Sequence, residues 1–391
     1  MIDRTVTKDI LEYLNHFPSV TFLGPRQVGK TTLAKHIAKV YGKKKVHYFD
    51  LENENDLFVL KNNAFNFLET LKDDLVILDE VQVYPQILST LRSVIDNNRI
   101  AGRFILLGSA DLSMVKGVSE SLAGRVAYRE ITPIHLLEAL NYGIEMSTHW
   151  FKGGFPEPLL MKSDKMRNVW TESFINTYIF RDLNQFFGIN LNGETTHKLW
   201  NMLAHLHSQI ENKESIGRSL GLTGTTVKKY IDYMEGAYLI RRLPPWYANN
   251  GKRLTKSPKI YVRTTGVLHH LLNISDYSTL QTHPALGASW EGYVVEQVFA
   301  NLPESTQMYY YRTHHGAEVD IVLVRGGTPI ATLEIKYSDA PKLSKGLYEC
   351  ISDLDTKLNY VLTPSSRTFP LSENIEVLSL ECFLRDKLGT L

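Results

Sequence analysis

The sequence predicts an α/β protein that opens with a mostly parallel sheet, continues as a mainly helical segment and ends in a mixed α/β segment. Three observations predict it. Short apolar runs at 19–23, 45–50, 75–79, 103–109 and 126–131 alternate with helical patterns, as a sheet with crossover helices needs. Trp170, Phe174, Tyr178 and Phe180 then recur near helical spacing, which reads as a core stripe. Two β-rich runs, 318–324 and 330–337, flank Gly326-Gly327 and predict a hairpin. Expected boundaries are 1–148, 149–256 and 257–391. Pro133 and the polar stretch 143–148 mark the first exit; Pro244-Pro245, Asn249-Asn250-Gly251 and Ser257-Pro258 mark the second.

The first run, Val20-Thr21-Phe22-Leu23, leads into Gly24-Pro25-Arg26-Gln27-Val28-Gly29-Lys30-Thr31, a complete G-x-x-x-x-G-K-[ST] phosphate loop between a strand and a helix. This pattern predicts binding of a nucleoside triphosphate, ATP, with Mg²⁺. Glycines let backbone N–H groups close on phosphate oxygens, Lys30 reaches the β/γ-phosphates and Thr31 offers its hydroxyl to Mg²⁺. Gly24, Pro25, Arg26, Gln27, Val28, Gly29, Lys30, Thr31 and Thr32 are the expected nucleotide-lining residues, with the N-terminus of the following helix facing the anion.

Leu75-Val76-Ile77-Leu78-Asp79-Glu80 supplies the second half: an apolar strand ending in two acids. Asp79 is expected in the Mg²⁺ shell beside Thr31, and Glu80 is expected to polarise the attacking water. Ser109, at the end of the 103–109 run, is the expected sensor of the γ-phosphate or water. Arg125 is the expected guanidinium for transferring-phosphoryl charge, in the same chain or across a subunit interface.

Composition narrows the class. With 391 residues, 43% hydrophobic and 22% charged, the chain reads as globular and multi-domain, and no run approaches the apolar length of a membrane span. Its start lacks an apolar signal core, which predicts a cytoplasmic protein. Cys350 and Cys382 suggest neither a disulfide framework nor zinc, and the thirteen histidines form no ligand set.

Charge is segregated along the chain. Between Lys213 and Arg263 stand eleven basic residues against Glu214, Asp232 and Glu235, a surplus of +8 in a chain of net +1. Residues 215–222 read as a short helix and turn, 223–234 as a second helix and 238–243 as a strand. That is a helix-turn-helix and wing, a winged-helix outline for DNA. Lys228, Lys229, Arg241, Arg242, Lys252 and Arg253 are the expected phosphate contacts. A winged helix that packs on protein, with its basic residues solvated, is the alternative.

The runs GPRQVGKTTL (24–33), DEVQ (79–82), SLAGR (121–125), GGFPE (153–157), Arg181-Asp182 and GAEVD (316–320) resemble the AAA-type ATPases of bacteria and archaea that carry a C-terminal domain of uncharacterised role. The resemblance runs nearly end to end. It implies a P-loop NTPase sheet of AAA type, then the helical and winged-helix region, then a restriction-endonuclease-like α/β domain. It also implies assembly into a homo-oligomer through the ATPase face. Relatives carry an Asp near Thr264, where this chain departs from the pattern.

Asp320 and Glu334-Ile335-Lys336 match the D…E-x-K pattern with which such nucleases gather Mg²⁺ and water against a phosphate, and the resemblance favours Glu291 as a further acid. Register decides whether they meet. A two-residue Gly326-Gly327 turn pairs Asp320 with Leu333, whereas a three-residue loop through Thr328 pairs it with Glu334, so the nuclease reading demands the longer loop.

The expectation is an Mg²⁺-dependent ATPase that couples nucleotide state to DNA contact. The alternatives are a non-cleaving switch acting on a protein partner and an ATP-gated nuclease. No membrane partner is expected.

Overall fold

Strands β1 (Ser19–Leu23), β2 (Val46–Asp50), β3 (Leu75–Asp79), β4 (Phe104–Gly108) and β5 (Val126–Glu130) form a parallel sheet in the order β2-β3-β4-β1-β5. This is the sheet the alternating runs predicted. The computed structural model describes residues 2–42, 44–111, 114, 122–187, 192–247 and 256–391, the side chains of 179 and 180 aside. Strands β3 and β4 are buried throughout because helices cover both faces, which is why they read as unbroken apolar runs. Inserting β4 between β1 and β3 sets the carboxyl ends of all three side by side, where a parallel α/β sheet presents its ligand crevice.

The middle of the chain is helical. Helices Asp164–Thr177 and Leu183–Phe187 are joined by a π-helical turn, Tyr178–Asp182, and helix Gly193–His205 follows. Trp170, Phe174 and Tyr178 stack in series as core, as their spacing implied; the Phe180 side chain lies outside the described residues. Next come β6 (Gln209–Ile210), helices Lys213–Leu220 and Gly224–Gly236, then β7 (Ile240–Leu243) and β8 (Lys259–Val262), paired antiparallel in the order β6-β8-β7. Asn212 and Thr223 cap the two helices with their side chains, and Gly221 ends the first in the left-handed region.

The last part is a six-stranded mixed sheet in the order β13-β14-β12-β11-β10-β9. Its strands are β9 (Thr306–Arg312), β10 (Glu318–Arg325), β11 (Thr328–Ile335), β12 (Leu358–Thr363), β13 (Phe369–Ser372) and β14 (Ile375–Ser379). Helix Leu286–Ala300 packs against it. The hairpin holds a correction. Arg325 pairs with Thr328, so the connection is the two-residue Gly326-Gly327 turn, with φ of 56° and 81°. A bulge beyond Val324 then shifts the register so that Ile321 faces Leu333, which brings Asp320 level with Glu334 all the same. Pro329, which has no N–H to give the ladder, sits at that bulge.

One apolar cluster runs through all three parts. At the joint of helices and last sheet, Trp150 packs on Trp290, Tyr293 and Tyr337. Close packing there leaves no room for side chains at certain glycines: a Cβ on Gly292 would stand 2.0 Å from His207 Nε2.

Candidate functional site

The phosphate loop leaves β1 at Gly24 and enters helix Lys30–Tyr41 at Gly29, whose φ of 91° puts it in the left-handed region. A Cβ at Gly24 would strike the Ile131 carbonyl at 2.3 Å, so only glycine lets the loop cross the end of β5. Gln27 also holds a positive φ, 63°, a conformation that costs a non-glycine residue energy and is found at ligand sites. Pro156, from the GGFPE run, lies beside Gly29.

Lys30 folds back under the loop. Its Nζ donates to the Gly24 carbonyl, the Pro25 carbonyl and Ser109 Oγ, each at 2.9 Å, and the residue is only 5% exposed. Burial pulls its pKa down to about 8, with Glu80 and Asp79 nearby but unable to offset it. A buried cation bonded to neutral oxygens alone is a receptor for an anion. Thr31 Oγ1 donates to Asp79 Oδ2 at 2.6 Å, and Tyr48 from β2 donates to the same oxygen at 2.8 Å. Burial pushes the Asp79 carboxyl up, while those two hydroxyls pull it down. Thr31 and Asp79 are thus adjacent at the start of the helix, as a shared Mg²⁺ requires, so the residues fit the ion and the nucleotide.

Glu80 turns off the end of β3 with φ of 55°. Ser109 Oγ donates to Glu80 Oε1 at 3.0 Å, Gln82 donates to Glu80 Oε2, and the Ser109 N–H donates to Gln82 Oε1 at 3.2 Å. Lys30, Ser109, Glu80 and Gln82 therefore form one chain of hydrogen bonds across the ends of β1, β3 and β4. Thr32 is exposed one residue along the helix.

Sequence reasoning missed Tyr48, Gln82, Tyr178, Asp182 and Arg4. Gln82 and Asp182 lay in motifs whose chemistry was not assigned; the others come from elements distant in sequence. Arg4 reaches the Val28 and Thr132 carbonyls and is held by Glu138 at 3.0 Å, fixing the chain start against the loop.

Arg125 is not brought to this site within its own chain. It precedes β5, whose Val126 pairs with Ser19 at the start of β1, so the whole of that strand separates it from the loop, about 16 Å at roughly 3.3 Å per residue. Its guanidinium forks onto Asp96 at 2.7 and 2.8 Å. Ser121 lies outside the described residues.

The basic segment is likewise corrected in part. Arg241 is paired with Glu296 and lies 3.4 Å from the Phe299 ring centre, and Arg242 is paired with Asp232 and Glu235. Partly buried guanidinium groups need such partners, so neither is free for a phosphate. Lys228 pairs with Asp232 at 3.2 Å, Lys229 is exposed, and Lys252 and Arg253 lie outside the described residues.

Asp320 of the last sheet and Glu291 of helix Leu286–Ala300 do converge, but around an ammonium, and Glu334 pairs with Lys336 instead. Lys259 Nζ, from β8, lies 3.0 Å from Glu291 Oε1 and 3.3 Å from Asp320 Oδ1, and it also pairs with Glu318 at 2.5 Å. The residue is 3% exposed, and although burial opposes its charge, Glu291 above all holds it protonated well above the usual lysine range. Further oxygens are taken: Asp320 Oδ2 by the Ile335 N–H at 2.9 Å, Glu291 Oε2 by Ser208 at 2.6 Å, and Glu334 Oε1 by Lys336 at 2.7 Å. Burial and then Asp320 push Glu334 up to about 7. A divalent ion does not fit this arrangement, because Lys259 stands where the carboxylates would hold it. Among the described residues no group of three or more His, Cys, Asp or Glu is set to hold a metal ion.

Residues 16–140, which contain the loop, both acids and Ser109, match the AAA domain family; 144–278 and 286–383 match two domains of unknown function, DUF8612 and DUF4143. The first part of the molecule is therefore an AAA-type P-loop ATPase unit. The chain is 36% identical over 362 residues to the uncharacterized proteins Rv2008c of Mycobacterium tuberculosis and Mb2031c of Mycobacterium bovis, covering 93% of this chain and 80% of theirs, and it belongs to their family. Similar solved structures include the Walker-type ATPase PABY2304 of Pyrococcus abyssi, with TM-score 0.46 and 12% identity over 70% of this chain and 96% of that one. Another is AMPPCP-bound DnaA from Aquifex aeolicus, with TM-score 0.33 and 16% identity over 59% and 86%. No helix among the described residues is long and apolar enough to cross a membrane.

Proposed function

We propose that this chain is an Mg²⁺-dependent ATPase whose nucleotide state is passed to a winged-helix region that contacts the backbone of DNA. One observation carries the ATPase reading: Lys30 is buried against neutral oxygens beside the Thr31–Asp79 contact and the Glu80–Ser109 pair. Loop amides and Lys30 hold the phosphates, Thr31 and Asp79 hold Mg²⁺, and Glu80 orients water and accepts its proton. An Mg²⁺ held by Thr31 and Asp79 would supply charge neutralisation to the phosphates. Water's oxygen bonds to the γ-phosphorus as the bond to the β–γ bridging oxygen breaks, and ADP leaves with that electron pair. Ser109 links Lys30 to Glu80 and reads whether the γ-phosphate is there.

The order helix, β6, helix, helix, β7, β8 is that of a winged helix, with Thr225, Lys228 and Lys229 on the outer side of helix Gly224–Gly236. Arg241 and Arg242 being spent on internal pairs favours a second reading, in which the same region docks a protein. Phosphate release from Mg-ATP, with and without duplex, single-stranded or branched DNA, tests both. Glu80→Gln should retain nucleotide and lose turnover by about 100-fold. DNA binding should weaken steeply with salt and in a Lys228→Ala, Lys229→Ala double variant. No salt-sensitive DNA binding and no stimulation would move the reading to the protein switch, and no nucleotide binding would end both.

A further inference from the structure

With Arg125 tied to Asp96 at the far end of the sheet, two guanidiniums remain near the loop: Arg181, largely exposed and donating to Asp182 Oδ1 at 2.9 Å, and Arg26 within the loop itself. The Arg26 side chain is 12% exposed and clamped: Nη1 lies 3.2 Å from Asp182 Oδ1, Nη2 is paired with Glu52, and the group lies 5.2 Å from the Phe186 ring centre. Its backbone N–H, a donor of the anion-binding loop, is occupied by the Tyr178 hydroxyl at 2.5 Å. Tyr178 and Asp182 are the two ends of one π-helical turn, an element that recurs at functional sites.

The clamp is incomplete. Arg26 Nε and Asp182 Oδ2 are both buried without a hydrogen-bond partner, and Asp182 is fully buried. Two such groups of opposite charge, side by side and beside a cavity, are placed to receive a polar ligand atom. A cavity of about 200 Å³ adjoins them, walled by Gln27, Trp170, Phe174 and Asp182. Arg26 stands four residues before Lys30 in the same loop, and the Glu80 charge helps keep its guanidinium protonated against burial.

We propose that Arg26 is the catalytic arginine of this ATPase, meeting in the same chain the charge that develops on the transferring phosphoryl group, and that the Tyr178–Asp182 turn holds it back when nucleotide is absent. This rests on the reading of the loop as an ATP site. As water attacks and the β–γ bond breaks, negative charge builds on the γ oxygens and the bridging oxygen, and a planar guanidinium can meet two of them at once. Asp182 and Glu52 compete for the same N–H groups, so the arginine moves only when a triphosphate outbids them. The released turn continues into helix Leu183–Phe187, where Phe187 packs on Tyr233 of helix Gly224–Gly236 at 4.9 Å between ring centres. A γ-phosphate is thereby sensed at the outward-facing basic helix.

The test compares Arg26→Ala, Arg26→Lys and Tyr178→Phe with wild type in Mg-ATP turnover, in ADP and AMP-PNP affinity, and in Trp170 fluorescence against a Trp170→Phe control. Arg26→Ala should keep ADP affinity within about threefold and lose kcat by about 100-fold or more, with Arg26→Lys restoring little of it. Tyr178→Phe frees one loop amide and should tighten nucleotide binding several-fold, and AMP-PNP but not ADP should shift the Trp170 signal. Arg26→Ala turning over ATP at the wild-type rate would overturn the proposal, as would equal loss of ADP and AMP-PNP binding. A Tyr178→Phe variant with weakened binding or a Trp170 signal blind to AMP-PNP would overturn the holding role. If wild type itself fails to bind nucleotide, the ATP-site reading fails instead, a distinguishable result.

Discussion

Two buried lysines, each with acids close by, divide this molecule. Lys30 contacts two carbonyls and a hydroxyl, and burial draws its pKa down to about 8. Lys259 contacts three carboxylates, and they hold its charge far above the ordinary range. Both neighbourhoods combine acids with a lysine in a pattern known from phosphate chemistry, yet only one is electrostatically unfinished. A cation that touches no carboxylate directly can take a ligand anion; a cation already ringed by carboxylates is a joint. Lys259 joins β8 of the small sheet to β10 and helix Leu286–Ala300, and so ties the middle of the chain to its end.

The largest way to break this comparison is Lys30→Ala, which should cut ATP turnover by about 10³-fold while leaving the circular dichroism spectrum and melting curve of the nucleotide-free protein unchanged. Lys259→Met should do the reverse. Glu318 keeps Arg312 at 2.8 Å, but removing the ammonium that Glu291 and Asp320 share leaves buried charge uncompensated and should cost about 3–5 kcal/mol, read from the denaturant midpoint. A Lys259→Met protein as stable as wild type would make the joint a surface pair of no consequence. Excess Mn²⁺ without nucleotide should show no binding, by calorimetry, that Asp320→Asn removes; a stoichiometric site lost in that variant would restore the metal reading.

Glu138 sharpens the picture from a third buried pair. Burial works against its charge, but His135, Arg4 and the Thr5 N–H outweigh it and draw its pKa down to about 2. A carboxyl depressed in the fold contributes stability above its unfolded pKa of about 4.3, and that contribution is lost as pH falls from there through about 2. Glu138→Gln should therefore cost about 3 kcal/mol at neutral pH and flatten the acid limb of the stability curve over that window, followed by urea titration. The smallest expected effect is at Thr264. It stands at the N-cap of helix Thr265–Leu271 without a side-chain cap bond, its Oγ1 buried and unpartnered. Thr264→Asp should raise stability by about 0.5–1 kcal/mol, seen as a higher melting temperature, because a carboxylate there can accept the orphan helix N–H.

Much of the nucleotide pocket was legible because its chemistry is local. Gly24 to Thr31 are contiguous, and Asp79, Glu80 and Ser109 end apolar runs that a parallel sheet must align. That Arg125 does not reach the loop of its own chain was not legible, because its motif gives residue types without saying which end of β5 they occupy; its expected role across a subunit interface concerns a second copy. The hairpin misled for another reason. Two loop lengths were weighed, and a bulge next to Pro329 was not, so the right pairing arises from a turn that seemed to forbid it.

Sequence alone determined the phosphate loop, the order of strands and helices, and the segment in which basic charge gathers, since each depends on neighbours a few residues away. Only the tertiary structure decided what the charges do. Strand order and register brought Lys259 among acids 32 to 61 residues further on, turned Arg241 and Arg242 inward, and laid Tyr178 and Asp182 over Arg26. Burial sets the strength of every one of those contacts, and burial is a property of the packed chain rather than of any motif.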